Sequence, residues 1–182
     1  MPRGGEAMTD PSYFGQILVF TYPLMKRVTW WPQFFLGLTF NWGALVGFAA
    51  QTGRLDLADL MLYAGLFFWT LGYDTIYAHQ DKEDDILIGV KSSAIRLGQR
   101  SKPWIYVFYT LAILLMLAGG VAAGLGLVFA LAMLAPAAHL YWQVRSLDID
   151  RPLLCLKLFK VFLNSLSLKP FAPLNLSMML IV

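Results

Sequence analysis

Four long apolar runs alternate with polar segments along the chain and predict its architecture. They occupy residues 30–50, 57–77, 104–123 and 127–142. Each is close to the roughly 20 residues that an α-helix needs to cross a bilayer core, although the fourth is short. A fifth apolar stretch, residues 13–24, is too short to span. Because helices satisfy their own backbone hydrogen bonds in lipid, the pattern predicts an all-α, multi-span transmembrane helical bundle.

The composition supports a membrane protein and divides the chain into three parts. Of the 182 residues, 58% are hydrophobic and only 14% are charged, which excludes an ordinary soluble domain. Residues 1–12 form a polar N-terminal segment that does not have the pattern of a cleaved signal peptide. Residues 13–160 form the predicted transmembrane domain. Residues 161–182 form an apolar tail that Pro170 and Pro173 interrupt, so we expect no full span there.

The basic residues predict how the chain is oriented. If all four runs cross the membrane, eleven lysines and arginines fall on one side and only Arg54 falls on the other. The eleven are Lys26, Arg27, Lys82, Lys91, Arg96, Arg100, Lys102, Arg145, Arg151, Lys157 and Lys160. Basic loops favour the cytoplasmic or matrix side, so we expect the polar loop after the second run to lie there. Because these border cations account for the net charge of +3, we predict no nucleic-acid site.

Acidic residues cluster where the second run gives way to that loop. On a continuous helix, Asp74, Asp81 and Asp85 project within a sector about 40° wide, and Asp84 projects about 80° to one side. Asp81 and Asp85, four residues apart, could hold Mg²⁺ that shares its other positions with water and phosphate oxygens. Asp74 lies near the end of an apolar run, where an ionisable group indicates function. The alternative is a solvated acidic loop whose charge offsets Lys82, Lys91 and Arg96.

Several other residues are candidates for binding an anion at the same membrane face. Tyr22 and Lys26, four apart, could contact a phosphate, and Lys91 could bind diphosphate oxygens. Each also has a plainer interpretation, as an interfacial aromatic residue or a basic anchor. His79 and His139 receive no role. Cys155 is the only cysteine, which excludes an intrachain disulfide, and we interpret it as a small apolar residue.

The acidic stretch also carries a resemblance to a known family. The segment YDTIYAHQDKEDDILIGVKSSAIRLG resembles the second aspartate-rich motif of the UbiA superfamily of intramembrane prenyltransferases. Within that superfamily, its amino-acid sequence is similar to that of the same motif in the 4-hydroxybenzoate polyprenyltransferases of ubiquinone biosynthesis. The earlier segments YPLMKR and WPQFFLGLTFNWGALVG are also similar to that family, and the resemblance covers residues 17–160.

The resemblance implies a reaction and roles for particular residues. The reaction is transfer of a polyprenyl group from polyprenyl diphosphate to 4-hydroxybenzoate, with Mg²⁺ as the cofactor. Asp81 and Asp85 match the family's metal-binding acids, and Asp74 matches the acid that opens the motif. The implied catalytic and metal set is therefore Asp74, Asp81 and Asp85. The diphosphate contacts it implies are Tyr22, Lys26 and Lys91.

Two departures from the family pattern leave alternatives open. The family's first motif, N-D-x-x-D-x-x-x-D, is absent, and Asp56 with Asp59 lacks the preceding Asn and falls on the opposite side by the charge count. We therefore expect 13–160 to be a partial domain that begins after the first motif. The tail at 161–182 resembles nothing known to us.

The alternatives come from different functional classes. One is a non-catalytic membrane fragment that binds metal or polyprenyl diphosphate, or that pairs with an N-terminal half or a full-length homologue. Another is an ion or proton transporter built around Asp74, which the position of the acids at the end of a run disfavours. A different aromatic acceptor, or haem, also stays open. Bacterial and mitochondrial inner membranes fit the sequence equally well.

Overall fold

The chain folds into helices throughout the part that the structure covers. The computed structural model describes Met25 and residues 27–166, with side chains described as far as Lys160, and all regular structure in that part is helical. The helices are α1 (Pro32–Thr52), α2 (Leu57–Ala78), α3 (Lys82–Ile88), α4 (Ser93–Leu97), α5 (Ser101–Ala122), α6 (Leu127–Ala132), α7 (Leu134–Arg145) and α8 (Pro152–Leu166), with a 3₁₀ turn (Gly98–Arg100) before α5. The all-α prediction is confirmed. Residues 1–24, including the predicted segments 1–12 and 13–24, lie outside the described residues, as does the tail after residue 166.

The predicted apolar runs correspond closely to helices. Helices α1, α2 and α5 match the first three runs to within three residues at either end. The fourth run forms two helices, α6 and α7, that meet at Met133. The physical reason is Pro136, which has no N–H to donate to the Ala132 carbonyl, so a continuous helix cannot keep all its hydrogen bonds there.

Three helical stretches of the described chain are long and apolar enough to cross a membrane: Pro32–Thr52, Ser93–Ala122 and Leu127–Arg145. Helix α2 has 22 residues but includes Asp74 with several tyrosines and threonines, and it is not in this group. It nevertheless packs against both α1 and α5. A crossing by α2, and with it the predicted side of the polar loop, stays a prediction.

Close packing of α2 on α5 depends on Gly72. A Cβ added there would overlap the ring of Tyr109, so only glycine lets the two helices approach this closely. Around Tyr109 a core forms from α2, α5, α7, α8 and the α7–α8 loop, with buried members Ile76, Ile105, Leu140, Val144, Leu147, Ile149, Cys155 and Leu158. This core lies at the end of α2 that leads to the acidic loop. Cys155 is fully buried in it.

Buried polar side chains join neighbouring helices. Between α1 and α2, the Asn41 amide donates to the Thr70 hydroxyl at 2.9 Å, and the Gln33 amide donates to the Thr75 hydroxyl at 3.4 Å. Between α5, α7 and α8, the Tyr109 hydroxyl donates to Gln143 Oε1 at 2.8 Å, and Gln143 Nε2 donates to the Leu158 carbonyl at 3.1 Å. Such bonds hold helices together in lipid, where burying apolar surface gives little driving force.

Candidate active site

Helix α2 ends just before the acids, in a tight turn. The N–H groups of His79 and Gln80 bond to the carbonyls of Ile76 and Tyr77, three residues back, at 3.2 and 2.9 Å. Asp81 then caps a new helix, α3. Asp74 therefore belongs to α2, whereas Asp81 and Asp85 belong to the turn and helix that follow. The three acids therefore do not lie on one continuous helix, the geometry for which their common face was calculated, because the chain turns at His79 and Gln80.

The spacing of Asp81 and Asp85 survives this break. The Asp85 N–H donates to the Asp81 carbonyl at 2.8 Å, so the two acids are one helical turn apart. Asp85 is only 6% exposed, while its neighbours Glu83 and Asp84 are exposed. Asp85 therefore faces inward and Asp84 faces outward, in agreement with the different directions that their helical spacing predicted.

Asp74 and Asp81 both lie near Tyr77, although Asp74 belongs to α2 and Asp81 to the start of α3. Both carboxylates are close enough to Tyr77 for their charges to act on its hydroxyl, and Asp74 also acts on Tyr73. Asp74 is half-buried. The structure thus brings Asp74, Tyr77 and Asp81 into one neighbourhood at the end of α2.

Aromatic rings line α2 beside these acids. Phe159 of α8 lies with its ring centroid 4.8 Å from that of Tyr77 and 6.0 Å from that of Tyr73. Trp69 continues the row, 5.5 Å from Tyr73. Phe159 had no signal in the sequence, because its contact with α2 depends on how α8 folds back. The signal available in the sequence for Trp69, Tyr73 and Tyr77 was their spacing of four residues along one helix face.

His79 is buried beneath the acidic turn. Its side chain is 1% exposed, and burial lowers the pKa of the imidazole to about 4, with the charge of Lys82 acting in the same direction and Asp150 opposing it. The ring is therefore neutral near pH 7. Neither ring nitrogen has a hydrogen-bond partner within the described part of the chain. No pattern in the sequence indicated this burial, since His79 lies where the predicted membrane segment gives way to the polar loop.

Lys91 links the acidic loop to the segment before α1. Its ammonium group donates to the Val28 carbonyl at 2.9 Å and lies 5.9 Å from the centre of the Trp30 ring. The diphosphate contact expected of Lys91 stays a prediction. Tyr22 and Lys26, the other two expected contacts, lie outside the described residues.

The acidic pair at Asp56 and Asp59 lies at the opposite end of α2 from the candidate site. Asp59 Oδ2 accepts the N–H of Asp56 at 2.9 Å, which caps the start of α2, and Asp56 pairs with Arg54 at 3.2 Å. These contacts give the pair a structural role. They agree with its rejection as a replacement for a metal motif.

The described residues do not form a metal cage by themselves. Nowhere in that part of the chain do three or more His, Cys, Asp or Glu side chains converge. Mg²⁺ held only by protein side chains therefore does not fit this site. An ion held by one or two carboxylates and completed by phosphate oxygens and water does fit, and this is the usual manner of Mg²⁺ binding in diphosphate sites.

Fold and site together define a class: an α-helical membrane protein with an acidic, aromatic-lined site at the end of a helix. Comparison with known proteins then gives the family. The UbiA prenyltransferase family matches residues 12–166, and the chain belongs to it. It is an integral membrane protein of that family.

Named relatives refine this membership. The chain is 51% identical over 144 residues to "4-hydroxybenzoate polyprenyltransferase, mitochondrial" of Caenorhabditis elegans, covering 79% of this chain and 40% of the relative. It is 51% identical over 137 residues to the human protein of the same name, covering 75% and 37%. It is 46% identical over 142 residues to "4-hydroxybenzoate geranyltransferase 2" of Lithospermum erythrorhizon, covering 78% and 46%. The chain thus spans about two fifths of the length of the first two relatives. No solved structure matches it.

Proposed function

We propose that this chain carries part of the active site of a prenyltransferase that moves a polyprenyl group from polyprenyl diphosphate to 4-hydroxybenzoate. The observation that carries the proposal is the grouping of Asp74, Tyr77 and Asp81 at the end of α2, with Asp85 one helical turn further on. The names of the relatives support the choice of substrates. Ubiquinone biosynthesis is the pathway that this reaction serves.

Asp81 and Asp85 are the residues proposed to hold the diphosphate end of the donor through Mg²⁺. Asp74 would complete this acidic edge from α2, and Lys91, Tyr22 and Lys26 would bind phosphate oxygens directly. When bound, Mg²⁺ supplies charge neutralisation for the diphosphate leaving group. Because Asp85 is buried, its carboxylate is held in one place before substrate arrives.

The bond changes follow from the substrates. The allylic carbon–oxygen bond of the donor breaks, and the electron pair leaves with diphosphate. The aromatic carbon ortho to the phenol attacks the allylic cation, and the ring then loses its proton. Tyr73, Tyr77 and Phe159 place aromatic faces beside the acids, which suits a developing cation.

The proposed location is the mitochondrial inner membrane, with the acidic loop on the matrix side. The printed names of the first two relatives include "mitochondrial". The excess of lysine and arginine at this end of the bundle supports the matrix side for the loop.

The test is prenyl transfer to 4-hydroxybenzoate in membranes containing this chain, with Mg²⁺ supplied or chelated. Because the relatives are longer, the same assay is run on the chain joined to the N-terminal region of the Caenorhabditis elegans relative. We expect Mg²⁺-dependent transfer by the joined protein. If the joined protein inserts and folds but transfers no prenyl group from any polyprenyl diphosphate, the proposal is wrong.

A further inference from the structure

Helix α3 ends in three consecutive aliphatic side chains that the described chain leaves uncovered. Ile86 is 55% exposed, Leu87 83% and Ile88 74%. The same helix begins with the exposed acids Glu83 and Asp84, so it is polar at its start and apolar at its end. Exposed aliphatic groups in a cluster indicate a surface that contacts lipid or another protein.

Lys91 fixes the position of this apolar end. Gly89 ends α3 in a left-handed conformation (φ 76°), and Lys91 then binds the Val28 carbonyl and lies over the Trp30 ring. Lys91 follows Ile88 by three positions, so their Cα atoms are at most about 11 Å apart. Lys91 therefore ties the chain just after the apolar end of α3 to the segment at residues 28–30.

That segment leads directly into a helix suited to the membrane. Trp30 lies two residues before α1, which is long and apolar enough to cross a bilayer. At the start of this helix, Val28 (66% exposed), Trp30 (38%) and Phe34 in the first turn of α1 (46%) are exposed apolar side chains like those at the end of α3. Tryptophan is enriched at the level of the lipid headgroups, where a transmembrane helix begins.

The charges around this surface suit lipid headgroups. Lys91, Arg96 and Arg100 follow α3 in the same loop, and Arg96 and Arg100 are exposed. Basic side chains beside an apolar surface complement the anionic headgroups of the cytoplasmic or matrix leaflet. The contact of Lys91 with the segment that leads into α1 and these cations both favour lipid over a protein partner.

We propose that Ile86, Leu87 and Ile88, with Val28 and Trp30, lie in the bilayer interface at the boundary between headgroups and acyl chains. We call these five residues the interfacial patch. Resting on the proposed function, the patch sets the depth of Asp81 and Asp85, so that they meet the diphosphate of a membrane-bound donor at the headgroup level. A water-soluble donor would gain nothing from this placement.

The first test measures depth without any activity. Single cysteines replace Leu87 or Ile88, with Glu83 or Asp84 as matched positions on the same helix, in a Cys155→Ala background. Each carries an environment-sensitive fluorophore in vesicles of phosphatidylcholine with a minor fraction of phosphatidylglycerol. We expect quenching by spin-labelled lipid at positions 87 and 88, and quenching by aqueous iodide at 83 and 84. Iodide quenching at all four labelled positions would overturn the proposal. Protection of positions 87 and 88 from both quenchers would also overturn it, because it would mean that another protein segment covers them.

The second test links depth to the site, using the joined protein. Leu87→Asn with Ile88→Asn should raise the KM for a long-chain polyprenyl diphosphate by about fivefold for each side chain, with kcat unchanged. Leu87→Phe with Ile88→Phe should restore the KM. An unchanged KM in the Asn variant would overturn the link to the site. Absence of transfer in every variant would count against the proposed function, while the quenching result would still decide the interfacial patch.

Discussion

The acidic turn shows how neighbouring residues of one type differ in environment. Asp84 and Asp85 are adjacent, yet Asp84 is exposed and Asp85 is 6% exposed. The helical spacing predicted this difference, because it depends only on local geometry. The end of the second apolar run at residue 77 predicted the end of α2 to within one residue, although neither glycine nor proline marks the tight turn at His79 and Gln80. The burial of His79 depends on packing that no local pattern encodes.

At this scale Lys91 gives a direct prediction. If its ammonium group also binds the diphosphate, Lys91→Met should raise the KM for polyprenyl diphosphate at least about tenfold, because a charge-assisted hydrogen bond is lost. Lys91→Arg should restore most of the affinity. Arg96→Met, an exposed cation of the same loop, serves as the matched control and should change the KM little. These constants are measured in the joined protein.

An unchanged KM in Lys91→Met would contradict the diphosphate contact. Lys91 would then serve only to hold the segment at residues 28–30 through Val28 and Trp30.

Helix bounds were the most predictable part of the fold, because apolar runs of membrane length have few alternatives. The break between α6 and α7 was missed, although Pro136 was visible in the sequence. The pairing of α2 with α5 could not be predicted, since it depends on which small residues meet the partner helix: Gly65 and Gly72 of α2 and Gly119 of α5. Helix order along the chain does not determine such pairs.

The contact between Gly72 and Tyr109 predicts a specific loss of stability. Gly72→Ala should lower the free energy of unfolding by about 1–3 kcal/mol, because the added methyl group overlaps a buried ring. Gly43→Ala is the matched control, since a Cβ there meets nothing within 4 Å. It should be neutral or stabilising by up to about 1 kcal/mol, because alanine favours the helix. Unfolding in detergent by steric trapping measures both, and equal effects would contradict the close approach of α2 to α5.

The bond between Asn41 and Thr70 predicts coupling between α1 and α2. Asn41→Leu and Thr70→Val should each destabilise the protein, and a double-mutant cycle should give a coupling energy of about 0.6–1.7 kcal/mol, as for other interhelical bonds in membranes. The cycle is needed because Asn41 also donates to the Gly37 carbonyl at 2.8 Å. Strict additivity in bicelles would show that the 2.9 Å bond contributes nothing.

For the whole molecule, the sequence predicts how the chain is oriented in the membrane. The contacts between helices do not test this prediction. The lysines and arginines predict that the acidic loop and the α1–α2 connection lie on opposite sides of the membrane. Single cysteines at Asp84 and Gln51, both exposed, should react with an impermeant maleimide from opposite sides of sealed vesicles. Labelling of both from one side would mean that α1 and α2 do not both cross.

Family membership was predictable from the sequence because the acidic stretch is a long and specific sequence motif. The sequence did not predict which further acids complete the site. The chain spans about two fifths of the length of its first relatives, and no three metal-binding side chains converge in the described part. The central claim is therefore about Asp81 and Asp85 themselves.

The most direct test measures prenyl transfer to 4-hydroxybenzoate by the joined protein and its Asp81→Asn, Asp85→Asn double variant, with Asp84→Asn as the matched control. We predict that the double variant loses at least about 100-fold in kcat/KM, because two charged contacts are removed, while Asp84→Asn keeps near-normal turnover. Full turnover in the double variant would contradict the account.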